Sequence, residues 1–367
     1  MKIECGKEKL ERALTLTERA TSKNPTLPIL SYVLLEATSN SLILRATNLD
    51  IGVEITLPAK VEKLGTLAVK GSTLLGFLTN SPKDKNVTLE SSEGGLLVKT
   101  LGGSALVKTA NHEDFPKISK VSGGLGVVMD ASLLSSGIRS VSYSASISHI
   151  KPELASVVLY SDGKNLVFVS TDSFRLAEKR IKAELPKDIE RTIIPIKNAV
   201  DLSRMAEDIE KEKVNVFFGK NQIAVEGGGI YFVSRVVEGV FPDYKQIIPK
   251  EWKTEVVVLK EDFGRAVKTS TVFSDSFNQT TISIQPSKKK MEFKSKNADV
   301  GEGEISISGA ISGEAIDISF NHKYISDCLQ SILSDSIAMS FSGNNKPTMI
   351  RGVGDTSFLY IVMPMNR

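Results

Sequence analysis

One pattern recurs three times along the 367 residues of this chain, and that repetition limits its architecture more than any single residue does. A stretch with helical apolar spacing opens each third, at 7–20 (KEKLERALTLTERA), 131–144 (ASLLSSGIRSVSYS) and 260–273 (KEDFGRAVKTSTVF). The stripes are Leu10, Ala13 and Leu14, then Leu134, Ile138 and Val141, then Phe263, Ala266 and Val267. Steps of three and four residues place each set on one helix face. A second helix-like stretch follows in every third, over 72–80, 197–209 and 322–333. Between the helices lie short apolar or alternating runs, such as Leu42-Ile43-Leu44 and Met291-Glu292-Phe293, which predict strands. Paired runs around glycine turns at 96–109, 223–236 and 349–362 predict a hairpin at the same place in each third. Phe115-Pro116 and Phe241-Pro242 close the first two units, 126 residues apart. That period exceeds the roughly 50 residues of a solenoid repeat. It suits three small α+β domains, each of two helices packed on antiparallel sheet, with bounds at 1–121, 122–248 and 249–367.

Composition narrows the class further. Apolar content of 41% with 24% charged residues is that of a globular chain with ordinary cores. No apolar run approaches the roughly 18 residues that cross a bilayer, so no membrane partner is expected. The polar start MKIECGKEKL carries no signal-peptide pattern, and the expected location is cytoplasmic. Cys5 and Cys328 then read as reduced thiols. A net charge of +3 neither demands nor excludes nucleic acid.

Catalytic chemistry finds no foothold. His112, His149 and His322 lie one in each third, without metal-ligand spacing. His112-Glu113-Asp114 reads as an exposed loop before the Phe-Pro turn, and Lys288-Lys289-Lys290 as a solvated hairpin tip. Gly227-Gly228-Gly229 sits inside a hairpin, outside any phosphate-cradling context. In Lys70-Gly71-Ser72-Thr73, Ser72 or Thr73 reads as a helix cap. The expectation is a non-enzymatic protein with no cofactor and no metal.

Four strings carry a sharper signal: Thr26-Leu27-Pro28-Ile29-Leu30, Thr171-Asp172-Ser173-Phe174-Arg175-Leu176, Phe241-Pro242-Asp243-Tyr244 and Met363-Pro364-Met365-Asn366-Arg367. In this order, and with the threefold repeat, the whole chain resembles the bacterial β sliding clamp, the processivity subunit of DNA polymerase III. The resemblance implies a homodimer of two three-domain chains, joined head to tail in a closed ring of six similar units with helices lining the hole. It implies sequence-independent binding of double-stranded DNA, with the DNA polymerase III catalytic subunit, the clamp loader and other clamp-binding repair and replication proteins as partners. A ring around DNA cannot fall off sideways, so weak, salt-screened attraction to phosphates suffices. Basic residues off the apolar stripes are the candidates to face DNA: Arg12, Arg139, Lys197, Arg204, Arg265 and Lys268. Lys197 stands where the family places a channel-lining lysine. In the loop before Thr26, where the family also uses basic residues, only Lys23 qualifies, followed by Asn24.

The same resemblance implies a pocket between the second and third domains that receives a short disordered motif from partners. Carried over position by position, it consists of Leu154, Thr171, Arg175, Leu176, Pro242, Ile247, Tyr324, Pro347, Ile361, Met363, Pro364 and Met365. Leucine and methionine walls accept varied apolar anchors, and Arg175 and Tyr324 offer polar handles. Ser173-Phe174 stands where relatives often have glycine and histidine, and Gln246 replaces a common arginine, so the rim is expected to differ. The subunit contact is expected to join 104–108, with Ala105 and Leu106, to Val272 and Phe273, with Glu302 and Glu304 facing Lys70. The competing reading is a non-enzymatic three-domain scaffold or adhesive protein that does not act on DNA.

Overall fold

The computed structural model describes residues 1–23, 26–82, 84–121, 125–183, 189–209 and 212–365. Asn24, the stretch around the expected boundary at 122–124, and the terminal Asn366 and Arg367 lie outside the described residues. The chain forms two compact units, Met1–Ser135 with Asp201–Val236, and Ser136–Val200 with Val237–Arg367.

Six α-helices occur among the described residues: α1 (Lys7–Arg19), α2 (Gly71–Asn80), α3 (Ala131–Ser142), α4 (Ile196–Asp208), α5 (Lys260–Ser270) and α6 (His322–Asp327). Every residue of the three apolar stripes is buried, so the spacing found the right helix faces. Two predicted helices are shorter than expected. The third opener gives way to a 3-10 turn over Thr271–Phe273. The stretch from His322 is a six-residue helix followed by a second 3-10 turn, Cys328–Ser331.

The predicted cap at Ser72 or Thr73 is corrected. Helix α2 begins at Gly71 after Lys70, which makes no side-chain cap bond. The Glu18 carboxylate of α1 lies beside the start of the helix, near the Ser72 N–H. Burial raises the Glu18 carboxyl above its ordinary value, with Ser72 and Lys70 opposing. Helix N-termini favour such an anion.

Among the described residues all the strand pairings are antiparallel, as expected of an α+β design. In the first unit the thirteen-residue strand Ile51–Lys63 joins two sheets. Its first half pairs with Ser41–Thr47 and with Ile230–Arg235, and its second half with Lys2–Gly6. In the second unit Arg175–Lys182 pairs on one side with Asn165–Thr171 and on the other with Phe358–Val362. All three predicted hairpins form. Lys288-Lys289-Lys290 sits at a hairpin tip, with Lys289 in the left-handed region at φ 51°.

Candidate functional site

The second unit builds its site on the turn between Asn165–Thr171 and Arg175–Lys182. Thr171 Oγ1 donates to the Arg175 carbonyl at 2.6 Å and accepts the Ser173 N–H at 3.2 Å. Asp172 Oδ1 accepts the N–H groups of Phe174 and Arg175, each at 2.9 Å. Together these bonds hold Ser173 at φ 77°, a conformation that glycine adopts at least cost. The carbonyl of Phe174 then accepts the Met363 N–H at 2.8 Å, and the Met365 N–H reaches the Ser319 carbonyl at 2.7 Å. The apolar end of the chain is thereby tied down along the sheet.

Beneath the turn lies one apolar cluster. Leu154, Leu176 and Ile361 are buried together with Phe241 and Tyr244. Pro242 and Ile247 are exposed above it, and Met363, Pro364 and Met365 are half-buried. Pro347, also half-buried, precedes Thr348, the partner of Val362 across the sheet. Phe174 is 60% exposed on the rim. Gln246 is exposed as well and bonds Asp243 at 2.8 Å.

Arg175 is less available than the sequence suggests. Its Nε lies 3.0 Å from Asp172 Oδ2, its Nη1 lies 2.6 Å from Asp327 Oδ2, and its guanidinium sits 4.4 Å from the Tyr324 ring centre. Burial alone would lower its pKa, but Tyr360 and the two carboxylates outweigh that and hold it above the ordinary value. The residue fixes this wall of the site and keeps its charge satisfied there. Tyr324 is positioned from the other side, its carbonyl accepting the Tyr360 hydroxyl at 2.7 Å.

Spacing does not reveal three residues that complete the floor. The hydroxyls of Tyr160 and Tyr244 are 2.7 Å apart. Tyr244 donates onward to the Glu178 carboxylate, which also receives Arg180 Nε at 2.7 Å. Glu178 is 2% exposed. Burial, followed by the charge of Glu178, pushes the Tyr244 phenol up. The available signal was a repeat offset: Glu54 and Glu178 stand 124 residues apart.

The residues expected to face DNA are all exposed. Three of the arginines already meet acids. Arg12 Nε lies 3.3 Å from Asp208 Oδ1, and its Nη2 donates to the Asp208 carbonyl. Arg204 pairs with Asp201 at 3.8 Å, and Arg265 with Asp262 at 2.6 Å. The Arg12 and Arg265 pairs are exposed on both sides, and such pairs contribute little and are readily exchanged, whereas Asp201 is buried.

Of the two expected contact elements, one is a sheet edge and the other, Val272 with Phe273, a 3-10 turn. Gly103–Val107 ends its sheet and presents Leu106, 54% exposed, beside half-buried Ala105. Gly301–Ser308 likewise ends its sheet. Phe273 covers Gly303, where a Cβ would collide with its ring, and Val272 is exposed. Glu302 and Glu304 meet Lys296 and Lys294 across the strands at 3.5 and 3.8 Å. They line a cleft of about 550 Å³ that also includes Asp275 and Gln279. Lys70 bonds Ser31 Oγ at 2.7 Å and lies over the Tyr32 ring.

Among the described residues, no group of three His, Cys, Asp or Glu side chains is placed to hold a metal ion. Nor is any described helix long and apolar enough to cross a membrane. Both cysteines are buried free thiols, and burial pushes Cys5 up to about 12.

Three family models match in order along the chain. They are the N-terminal, central and C-terminal domains of the DNA polymerase III beta subunit, over residues 1–119, 128–243 and 245–366. The beta sliding clamp of Synechococcus elongatus is 27% identical over 371 residues, covering 100% of this chain and 99% of the relative. That of Staphylococcus aureus is 25% identical over 95% of both. Among solved structures, the Thermotoga maritima DNA polymerase III beta subunit superposes with a TM-score of 0.94 at 25% identity, covering 100% of this chain and 99% of that one. The Pseudomonas aeruginosa DnaN sliding clamp bound to griselimycin superposes with a TM-score of 0.95 at 24% identity over 100% of both.

Proposed function

The chain belongs to the DNA polymerase III beta subunit family and is a three-domain DNA sliding clamp, and from this premise we propose that two copies close head to tail around duplex DNA. The scaffold alternative falls with the family assignment. In the ring, the exposed edge at 103–107, with Ala105 and Leu106, meets Gly301–Ser308 beside Val272 and Phe273 of the other copy. Unpaired strand edges invite this kind of addition. Lys70, Glu302 and Glu304 exchange part of their own-chain pairing for contacts across that seam. The domain limits are 1–121, 122–248 and 249–367. Lys23, Arg12, Arg139, Lys197, Arg204, Arg265 and Lys268 face the DNA and attract phosphate without sequence readout.

The protein performs no catalysis and carries no cofactor. It acts in the cytoplasm, where the clamp loader opens the ring and the polymerase catalytic subunit and other repair and replication proteins dock in turn. Their docking site is the cleft over Leu154, Leu176 and Ile361, walled by Pro242, Ile247, Tyr324, Pro347 and Met363–Met365, with Thr171 and Arg175 shaping the turn. The observation that carries this is the exposed rim of Phe174, Pro242 and Ile247 above one closed apolar cluster. A few apolar anchors entering preformed hollows supply most of the energy in such contacts.

Light scattering over a dilution series gives the first test. A particle of twice the 39.8 kDa chain mass that stays on nicked circular DNA and runs off after linearisation supports the ring. A monomer that leaves both DNAs equally fast rules it out.

A further inference from the structure

We infer that Glu178 is a positioning residue for the partner cleft, acting through Tyr244 to hold the segment that carries Pro242 and Ile247; this rests on the cleft reading above. That segment's own backbone structure is a single short 3-10 turn, Tyr244–Ile247. Tyr244 N–H meets the Pro242 carbonyl at 2.9 Å, and Gln246 N–H reaches the Asp243 carbonyl at 3.4 Å. Its place must therefore be set by side chains. Phe241 and Tyr244 are both buried in the cluster, but apolar packing is non-directional and leaves sliding open. The phenol of Tyr244 adds direction, because it ends on a carboxylate fixed in the strand Arg175–Lys182. A buried carboxylate is costly unless fully bonded, so Glu178 holds its donors firmly. Tyr160 bonds the same phenol, and Arg191 reaches the Phe241 carbonyl at 3.3 Å.

The first unit shows what the same position does without a tyrosine. Glu54, the counterpart of Glu178, is held by Arg45 at 2.7 Å and by Lys120 at 3.1 Å. The residue there corresponding to Tyr244 is Ile118, which has no polar atom to offer. That connector is tied instead by the Tyr231 hydroxyl, which accepts the Val121 N–H at 2.9 Å and donates to the Ser119 carbonyl at 3.2 Å, and by the exposed Lys120 on Glu54, whereas the carboxylate of Glu178 fixes the other through a phenol of the segment itself. Fixing Pro242 and Ile247 before a partner arrives removes an ordering cost from binding.

The test uses the full-length protein and a fluorescein-labelled decapeptide carrying a Leu-Phe pair, read by anisotropy. Glu178→Leu and Tyr244→Phe are each expected to weaken binding about tenfold, the size of one lost charge-assisted hydrogen bond. The double variant loses no more than either single, and Tyr160→Phe loses less. Glu178→Gln, whose carbonyl still accepts the phenol, recovers much of the loss. Amide exchange at 244–248 quickens in the two weak variants. Met363→Arg separates the two ideas. If it binds like the wild type, the cleft reading and this inference both fall. If it is dead while Tyr244→Phe binds like the wild type, only the inference falls. Equal losses in Glu178→Gln and Glu178→Leu also overturn it, since charge and not the phenol bond would then matter.

Discussion

Two turns in this chain are built alike and floored differently. Thr47 Oγ1 donates to the Ile51 carbonyl at 2.7 Å, Asn48 Oδ1 accepts the N–H groups of Asp50 and Ile51, and Leu49 sits at φ 76°. Thr171, Asp172 and Ser173 repeat each of these features 124 residues later. Even the next strand is tied the same way: Arg235 N–H bonds the Asp50 carbonyl at 2.9 Å as Met363 N–H bonds that of Phe174 at 2.8 Å. The side chains part company. Gly52, Ile118, Val233 and Arg235 occupy the places of Leu176, Tyr244, Ile361 and Met363. A Cβ on Gly52 would lie 3.0 Å from Ile118 and 3.1 Å from Val233, so the connector seats itself on the glycine and fills the floor. What remains is about 160 Å³ rimmed by Asp50, Lys117 and Arg235. Backbone hydrogen bonding preserves the repeat, and a few side chains set the two floors apart.

The most damaging way to erase the difference is to give the second cleft the first one's rim. Met363→Arg is expected to cost peptide affinity about thirtyfold or more, as loss of a central anchor does. Retention on circular DNA should remain, because the proposed ring contacts lie elsewhere. Arg235→Met should create no peptide binding, since Ile118 still fills that floor. Peptide capture by Arg235→Met, measured by titration calorimetry as two sites per chain, would show that rim charge alone separates the clefts.

A second comparison lies under the clefts. Glu36, Arg45 and Glu54 form a half-exposed ion triad. Tyr160, Val169 and Glu178 stand at the matching positions, with the carboxylate buried. Tyr244→Phe leaves the Tyr160 hydroxyl and one Glu178 oxygen without a partner and is expected to destabilise the second unit by about 2 kcal/mol. Arg45→Met removes a solvent-screened triad and should cost the first unit about 1 kcal/mol. Denaturant unfolding of the two variants measures both. Equal costs would mean that burial does not separate the two networks.

Much of this was legible in the sequence. Helix stripes at Leu10, Ile138 and Phe263 and the three glycine-turn hairpins are local patterns, and local patterns survive folding. The strings at 171–176 and 363–365 come together because the first spans the turn into Arg175–Lys182 and the second continues the neighbouring strand Phe358–Val362. The Glu178–Tyr244 bond was not legible, because it joins residues 66 apart through a side chain whose partner depends on register. Nor was the start of α2, where the nearby carboxylate is that of Glu18 on another helix. The C-terminal shortening of α6 follows from packing at Cys328 and Ile332, both fully buried, where apolar spacing continues although the helix does not.

Acid should act on the two networks differently. Burial pushes Glu54 up, but Arg45 and Lys120 outweigh it and leave the carboxyl below its ordinary 4.5. The unfolded chain therefore takes up this proton first. The contribution of the triad is complete above the ordinary value and is lost as pH falls through the lower folded value. Glu54→Gln should flatten the acid limb of the first unit's unfolding curve and leave that of the second unchanged. An acid limb unaffected by Glu54→Gln would take the triad out of the pH dependence.

The smallest effects belong to the turns themselves. Leu49 and Ser173 both hold left-handed conformations, which cost a side-chain-bearing residue about 1–2 kcal/mol. Glycine removes that strain but adds freedom to the unfolded chain, worth about 0.5–1 kcal/mol. The balance is a gain of about 0.5 kcal/mol for Leu49→Gly. Serine can bond locally with its hydroxyl and so tolerates the conformation better than leucine, and Ser173→Gly should gain less. Thermal midpoints of the two variants decide the order. If Ser173→Gly proves the more stabilising, then the second turn is the more strained of the pair, and the bonds from Thr171 and Asp172 hold Phe174 at the rim against a steeper cost than their twins bear at Asp50.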